Sequence, residues 1–259
     1  MRIKANGIAI NYQIEGPDLA PCLVFSNSLA TTLAMWDEQT AALKASFRIL
    51  RYDQRGHGHT EAPAGRYPFD TLLADVLGLL DALAIPKAHF AGLSMGGATA
   101  LGLAEKHPDR FDRIIVCDSP CQSTLQSSQQ WEERIVVAEN KGMAALVEPT
   151  IARWFPSEIV AKNPPYLDKV RGMIRDTPVN GFIGCAAALA AHDYASAVAT
   201  VTRPVLFMAG EKDGVTPAAM RKLNEKLPGS HFVELPGAGH ISNMDRPAEF
   251  TRAIREFLS

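Results

Sequence analysis

Residues 22–25 form a short continuous apolar run, and similar, mostly apolar runs recur at residues 47–52, 88–93, 113–117, 205–209 and 231–235. A strand that is apolar at every position has both faces covered, which is the situation of a parallel strand between helical layers. Helical stretches separate most of these runs. Leu72, Leu73, Val76, Leu77, Leu80 and Leu83 fall at helical spacing, as do Phe250, Ala253, Ile254 and Phe257, with Pro247 where a first helical turn accepts it. Ahead of the first run, residues 8–14 alternate apolar and polar after Asn6-Gly7, which predicts two short antiparallel strands joined by a tight turn. This order of elements predicts an α/β architecture: a mostly parallel, eight-stranded sheet with helices on both faces.

One interval breaks the rhythm. Between Asp118 and Pro204 lie about 85 residues with helical stretches and no convincing strand, too long for a structureless loop. The segment is rich in large apolar side chains (Trp131, Met143, Trp154, Phe155, Met173, Phe182), and residues 186–191 are Ala-rich and helical in pattern. It is expected to be a helical cap, residues 122–196, inserted into a core formed by residues 1–121 and 197–259 and covering the carboxyl edge of the sheet.

Composition closes off other classes. With 259 residues, 47% of them apolar, the chain buries a core without staples, and a net charge of −2 argues against a phosphate-binding surface for nucleic acid or a polybasic membrane anchor. No run approaches the roughly 18 apolar residues of a membrane span, and the first residues lack the apolar core of a secretory signal, so a cytoplasmic protein is expected. Cys22, Cys117, Cys121 and Cys185 are too scattered for a disulfide framework or a zinc site and read as ordinary thiols.

The most specific motif is Gly92-Leu93-Ser94-Met95-Gly96-Gly97, placed after a strand pattern and before a helical stretch beginning near Ala98. A serine on such a strand–turn–helix corner is held outward on strained backbone, and flanking glycines let neighbouring chain approach closely. Ser94 is thus the expected nucleophile, and the Met95 N–H an expected oxyanion donor. A serine hydroxyl needs a base oriented by a third group. Of seven histidines, His240 alone lies in a glycine-bearing loop between the last strand and the last helix, at the same sheet edge as Ser94. His57 and His59 suit a structural turn. The acid is expected to be Asp213, after the run 205–209; Asp118, after the preceding strand, competes for the same histidine, and Glu211 lies nearer its strand end. The second oxyanion donor is expected from the loop Ser26-Asn27-Ser28-Leu29-Ala30, at the Leu29 N–H. His57-Gly58-His59 has no further nearby ligand to complete a metal site, so a metal-dependent reading is disfavoured.

Together these residues resemble the α/β-hydrolase superfamily. Asp53-Gln54-Arg55-Gly56-His57-Gly58 looks like its D-x-R-G-x-G turn, and the Asp213 and His240 loops like its acid and histidine loops. Where many members carry His-Gly in the oxyanion loop, this chain has Asn27-Ser28. That segment, with Met35-Trp36-Asp37, Arg153-Trp154-Phe155 and Gly239-His240-Ile241-Ser242-Asn243, resembles the 3-oxoadipate enol-lactonases, although Ala30 stands where that family usually has glycine. The resemblance implies ring opening of a carboxylate-bearing enol-lactone through an acyl-enzyme, a reaction expected to need no cofactor or metal. Ser28, Trp131, Arg153 and Trp154 are then the expected substrate contacts, in a pocket roofed by Trp131, Trp154 and Phe155, with Arg134, Lys141 and Arg175 as other cations for the carboxylate. A general carboxylesterase, another lactonase or a perhydrolase would use the same residues, and a catalytically weak ligand receptor could keep them. The expected partner is a small lactone or ester; the sequence does not indicate an oligomeric state.

Overall fold

The computed structural model describes residues 1–196 and 198–259. Its strands are β1 (Arg2–Ala5), β2 (Ile8–Glu15), β3 (Cys22–Ser26), β4 (Arg48–Tyr52), β5 (Ala88–Leu93), β6 (Phe111–Cys117), β7 (Val205–Gly210) and β8 (His231–Leu235). They form one eight-stranded sheet in the order β1-β2-β4-β3-β5-β6-β7-β8. The β1–β2 and β2–β4 pairs are antiparallel and the remaining pairs parallel. The helices are α1 (Asp37–Leu43), α2 (Phe69–Ala82), α3 (Met95–Lys106), α4 (Leu125–Lys141), α5 (Val147–Trp154), α6 (Ser157–Lys162), α7 (Pro165–Asp176), α8 (Val179–Ala191), α9 (Thr216–Lys226), α10 (Ser242–Asp245) and α11 (Pro247–Leu258).

Alternate residues of the central strands serve two apolar layers. Leu23 and Phe25 face the layer shared with α1 and α11, while Val24 and Phe90 face α2, α3 and α9. Both layers are sealed by fully buried side chains, which explains why these strands read as continuous apolar runs. Pro247 occupies the first turn of α11 as expected. Helix α3 starts at Met95, three residues before the sequence pattern placed it. Gly96 and Gly97 disfavour a helix intrinsically, but here contact overrides propensity. A Cβ on Gly96 would collide with the Ser26 carbonyl, and one on Gly97 would meet Ser119.

Between β6 and β7 run α4 to α8, with no strand among the described residues beyond an isolated bridge pairing Gln122 with Asp193. That bridge, with Ser123 N–H donating to His192 (2.8 Å) and Tyr194 N–H to Cys121 (2.8 Å), closes a narrow neck at the base of the segment. Ala197, the expected downstream boundary residue, lies outside the described residues. The segment sits on loops that follow β3, β4 and β8: Thr32 hydroxyl meets Met173, the Gly56 and Gly181 backbones touch, and His240 N–H donates to the Trp154 carbonyl (2.7 Å).

Candidate active site

Ser94 occupies the corner between β5 and α3 at φ 57° and ψ −111°, a left-handed conformation costly for a residue with a Cβ. The corner is over-determined. Ser94 N–H donates to the Cys117 carbonyl (2.8 Å) and Gly96 N–H to that of Asn27 (3.0 Å), while a Cβ on Gly92 would strike the Gly96 carbonyl. The hydroxyl is thereby presented from the sheet edge and meets His240 Nε2 at 3.0 Å. Asp213, in the loop after β7, places Oδ2 2.8 Å from His240 Nδ1. Both side chains of that pair keep only a small open surface, 17% for His240 and 11% for Asp213.

Asp118 is engaged elsewhere. Its fully buried carboxyl group accepts from Gly210 N–H (2.7 Å) and is hydrogen-bonded to the Ser242 hydroxyl. It therefore ties the end of β7 to the segment just after His240, rather than meeting the imidazole. Burial, reinforced by the Asp213 charge, pushes its carboxyl well above the ordinary carboxylate range, against the two hydrogen bonds. Glu211 is also committed, accepting from Gly237 N–H at 2.7 Å.

The loop expected to supply an oxyanion donor is anchored on both sides of Leu29. Ser28 N–H approaches Met35 Sδ (3.4 Å), and Ala30 N–H donates to His57 Nε2 (2.9 Å). His57 is buried, and Nδ1–H donating to the Arg55 carbonyl (3.0 Å) fixes the tautomer in which Nε2 accepts; desolvation lowers its pKa, keeping it neutral. The structural role expected for His57 is what this geometry provides. Among the described residues, no protein acceptor takes the N–H of Leu29 or of Met95, although Ser28, Ala30, Ser94 and Gly96 beside them are all engaged. Two unclaimed donors, one on the segment after Ser94 and one on a loop lining the same cavity, are the groups an anion there would need.

Ser28, Leu29, Ser94, Trp131, Arg153, Trp154, Asp213 and His240 line one cavity of about 330 Å³. Met95 does not line it; its side chain is buried below, and only its backbone is available. Phe155, expected in the roof, is not part of the lining. It follows the end of α5 with extended backbone (φ −122°, ψ 143°), which turns it away from its neighbour Trp154 and onto Tyr166 (5.8 Å between rings). Lys141 and Arg175 are also absent from the lining, and Arg175 pairs with Asp176 at 3.2 Å. Arg134 and His192 line it as well. A larger cavity of about 410 Å³ lies at the amino edge of the sheet, among Arg113, His231 and Phe257, away from all these groups.

Arg134 and Arg153 both lie against Trp131, at 4.6 and 5.6 Å from a ring centroid. Neither has an ion pair or hydrogen bond among the described residues. Arg153 is exposed because it lines the cavity, yet protein encloses it. Desolvation, with the like charge of Arg134, pushes its pKa down to about 9, partly offset by Asp213; it remains cationic at neutral pH. Desolvation also lowers that of Arg134.

Known proteins sharpen this picture. The chain matches the α/β hydrolase fold family model over residues 21–247. It is 37% identical to 3-oxoadipate enol-lactonase 1 of Acinetobacter baylyi, with 100% of this chain and 96% of that protein covered. It is also 27% identical to a putative carbamate hydrolase RutD of Stutzerimonas stutzeri, covering 96% and 97%. Among solved structures, the enol-lactonase from Burkholderia xenovorans superposes with a TM-score of 0.96 at 40% identity, covering 100% of this chain and 99% of that one. No helix among the described residues is long and apolar enough to cross a membrane. The chain belongs to the α/β hydrolase fold family and, within it, is similar to the 3-oxoadipate enol-lactonases.

Proposed function

We propose that the protein is a serine hydrolase that opens a carboxylate-bearing enol-lactone, converting 3-oxoadipate enol-lactone to 3-oxoadipate. The observation that carries this reading is the pair of unclaimed N–H groups, Leu29 and Met95, beside a Ser94 hydroxyl already 3.0 Å from His240 Nε2. Ser94 attacks the lactone carbonyl while His240 takes its proton, and Asp213 on Nδ1 orients the ring and stabilises the imidazolium. The oxyanion forms against the two N–H groups. As the ring opens, His240 returns the proton to the departing enol oxygen, and the enol tautomerises to a ketone. Water, deprotonated by His240, then attacks the acyl-enzyme ester and releases a second carboxylate.

The cavity adds the substrate class. A desolvated cation without a counter-ion is costly, and a guanidinium holds a carboxylate through two parallel hydrogen bonds. Arg153 and Arg134, held on Trp131, suit the free carboxylate of such a lactone. Residues 122–196 act as the lid that carries these groups over a core of residues 1–121 and 197–259. A panel of the enol-lactone, a saturated neutral lactone, an aryl acetate and a carbamate tests the reading. The enol-lactone should give the highest kcat/KM by at least tenfold; preference for the carbamate would assign the chain to that chemistry, and preference for the aryl acetate would make it a general esterase.

A further inference from the structure

We propose that Trp154 is a positioning residue for His240, so that the helical segment holding it completes the base as well as walling the substrate cavity. The inference rests on the reading of His240 as general base. Two features of the backbone bring the segment to the histidine. His240 N–H donates to the Trp154 carbonyl at 2.7 Å, and Gly239 lacks the Cβ that would collide with that carbonyl. A second contact braces the same loop: Gly239 N–H donates to Asp245 Oδ2 (2.7 Å), whose other oxygen accepts the Tyr166 hydroxyl from α7 (2.9 Å). The Trp154 side chain then lies over the imidazole, 6.0 Å between centroids and 27° between planes, and is itself only 3% exposed.

That placement has a chemical consequence. His240 becomes an imidazolium each time it takes the Ser94 proton, and the face of an indole attracts a cation. The indole therefore favours the charged form and restricts ring rotation away from Ser94. The other charged and titratable groups around His240 are Asp213 on Nδ1, Ser94 on Nε2, Asp118 through Ser242, Asp245 through Gly239, and Arg153 and Arg134 across the cavity. None of these is altered by replacing the indole, and the Trp154 carbonyl stays in place in any substitution.

The test compares Trp154→Leu, which keeps bulk without a π face, with Trp154→Phe, which keeps a ring. Each is assayed from pH 5 to 9 on a neutral aryl acetate, so that carboxylate binding does not enter. Trp154→Leu should lose roughly three- to tenfold in kcat, with little change in KM, and the acid limb of kcat/KM should move down by about half a pH unit. Trp154→Phe should stay within about twofold of wild type. A raised KM with an unmoved acid limb would reduce Trp154 to a cavity wall, and equal losses in both variants would overturn the π contribution. If Trp154→Leu fails to fold, Trp154→Met takes its place and the His240 imidazole is titrated by NMR in Ser94→Ala and in Ser94→Ala/Trp154→Met; an unchanged titration then overturns the proposal. Ser94→Ala and His240→Ala run beside these variants separate the two readings. Activity surviving them overturns the function and this inference together, whereas their inactivity with an unmoved limb in Trp154→Leu overturns this inference alone.

Discussion

At the carboxyl edge of the sheet, Asp213 has His240, His240 has Ser94, and Asp118 has Gly210 and Ser242; in the helical segment above, Arg134 and Arg153 have, among the described residues, only the Trp131 ring. In the first region these four side chains are satisfied before any ligand arrives, while the Leu29 and Met95 N–H groups beside them stay unclaimed. The second is left short of a counter-charge in surroundings that disfavour a bare cation. On the proposed function the difference separates two tasks: groups that would act on any ester are preorganised by the core, and groups that would choose among esters are left open for the ligand. Substitutions below should split accordingly, the core ones affecting all substrates and the upper ones only carboxylated substrates.

The largest effect belongs to Ser94. Ser94→Ala should lower kcat on the order of 10⁶ for every substrate with the fold intact, and combining it with His240→Ala should cost no more, because the residues act as a unit. Steady-state kinetics with circular dichroism checks this; activity within tenfold of wild type would remove Ser94 from the chemistry. Next comes the comparison of the two carboxylates. Asp213→Asn should cost on the order of 10⁴ by analogy with the serine-protease acid, since the wrong His240 tautomer then faces Ser94. Asp118→Asn should stay within about tenfold, because an amide can still accept from Gly210 N–H. The reverse ranking would move the acid to the end of β6.

The core was legible because its signals are local. Strand runs, helix spacing and the Ser94 corner each sit within a few residues, and the tightness of that corner requires the glycines the pattern shows. Less legible was what the enol-lactonase-like residues do. Asn27 accepts from Trp36 Nε1 (3.0 Å) and donates to the Tyr52 carbonyl (2.8 Å), while Asn243 donates to the Met35 carbonyl (2.8 Å). These residues brace the oxyanion loop and the histidine loop, and Asn243 lies 208 positions from Met35, a pairing that a single sequence does not reveal. Ala30 shows the same limit. It stands at φ 59°, where glycine is at ease and an L side chain costs roughly 1–2 kcal/mol. His192 reaches the cavity only because the neck folds back on Cys121, and Arg134 resembles any solvated helix charge until Trp131 and Arg153 are placed beside it.

The cations supply the third effect. Arg134→Met and Arg153→Met should each weaken kcat/KM for the carboxylated enol-lactone by roughly 1.5–3 kcal/mol, the range for a hydrogen bond to a charged group. An aryl acetate without a carboxylate should be nearly unaffected. Because both guanidiniums meet one anion, the double variant should lose less than the sum of the two. Equal losses on both substrates would mean that the Trp131 stack collapsed and that the upper region has a structural task instead.

The smallest effect concerns stability and comes from Asp118 in the satisfied region. Its carboxyl is pushed up in the folded protein by burial and by the Asp213 charge, so between the ordinary carboxylate range near pH 4 and its raised folded pKa the native state holds a proton that the unfolded chain has released. Stability then falls as pH rises, with a slope of about 1.4 kcal/mol per pH unit for one proton; the contribution is complete below the unfolded pKa and lost as pH climbs through the folded one. Asp118→Asn has no proton to lose and stays flat across that window. The melting temperature of the variant should therefore gain on wild type by roughly 2–4 °C for each pH unit above about 4, until the folded carboxyl ionises. Melting curves of both proteins from pH 4 to 8 measure that difference directly. A difference that stays constant with pH would show Asp118 ionised alike in both states. The link between the ends of β7 and the histidine loop would then be a carboxylate held by Gly210 and Ser242 rather than a neutral acid.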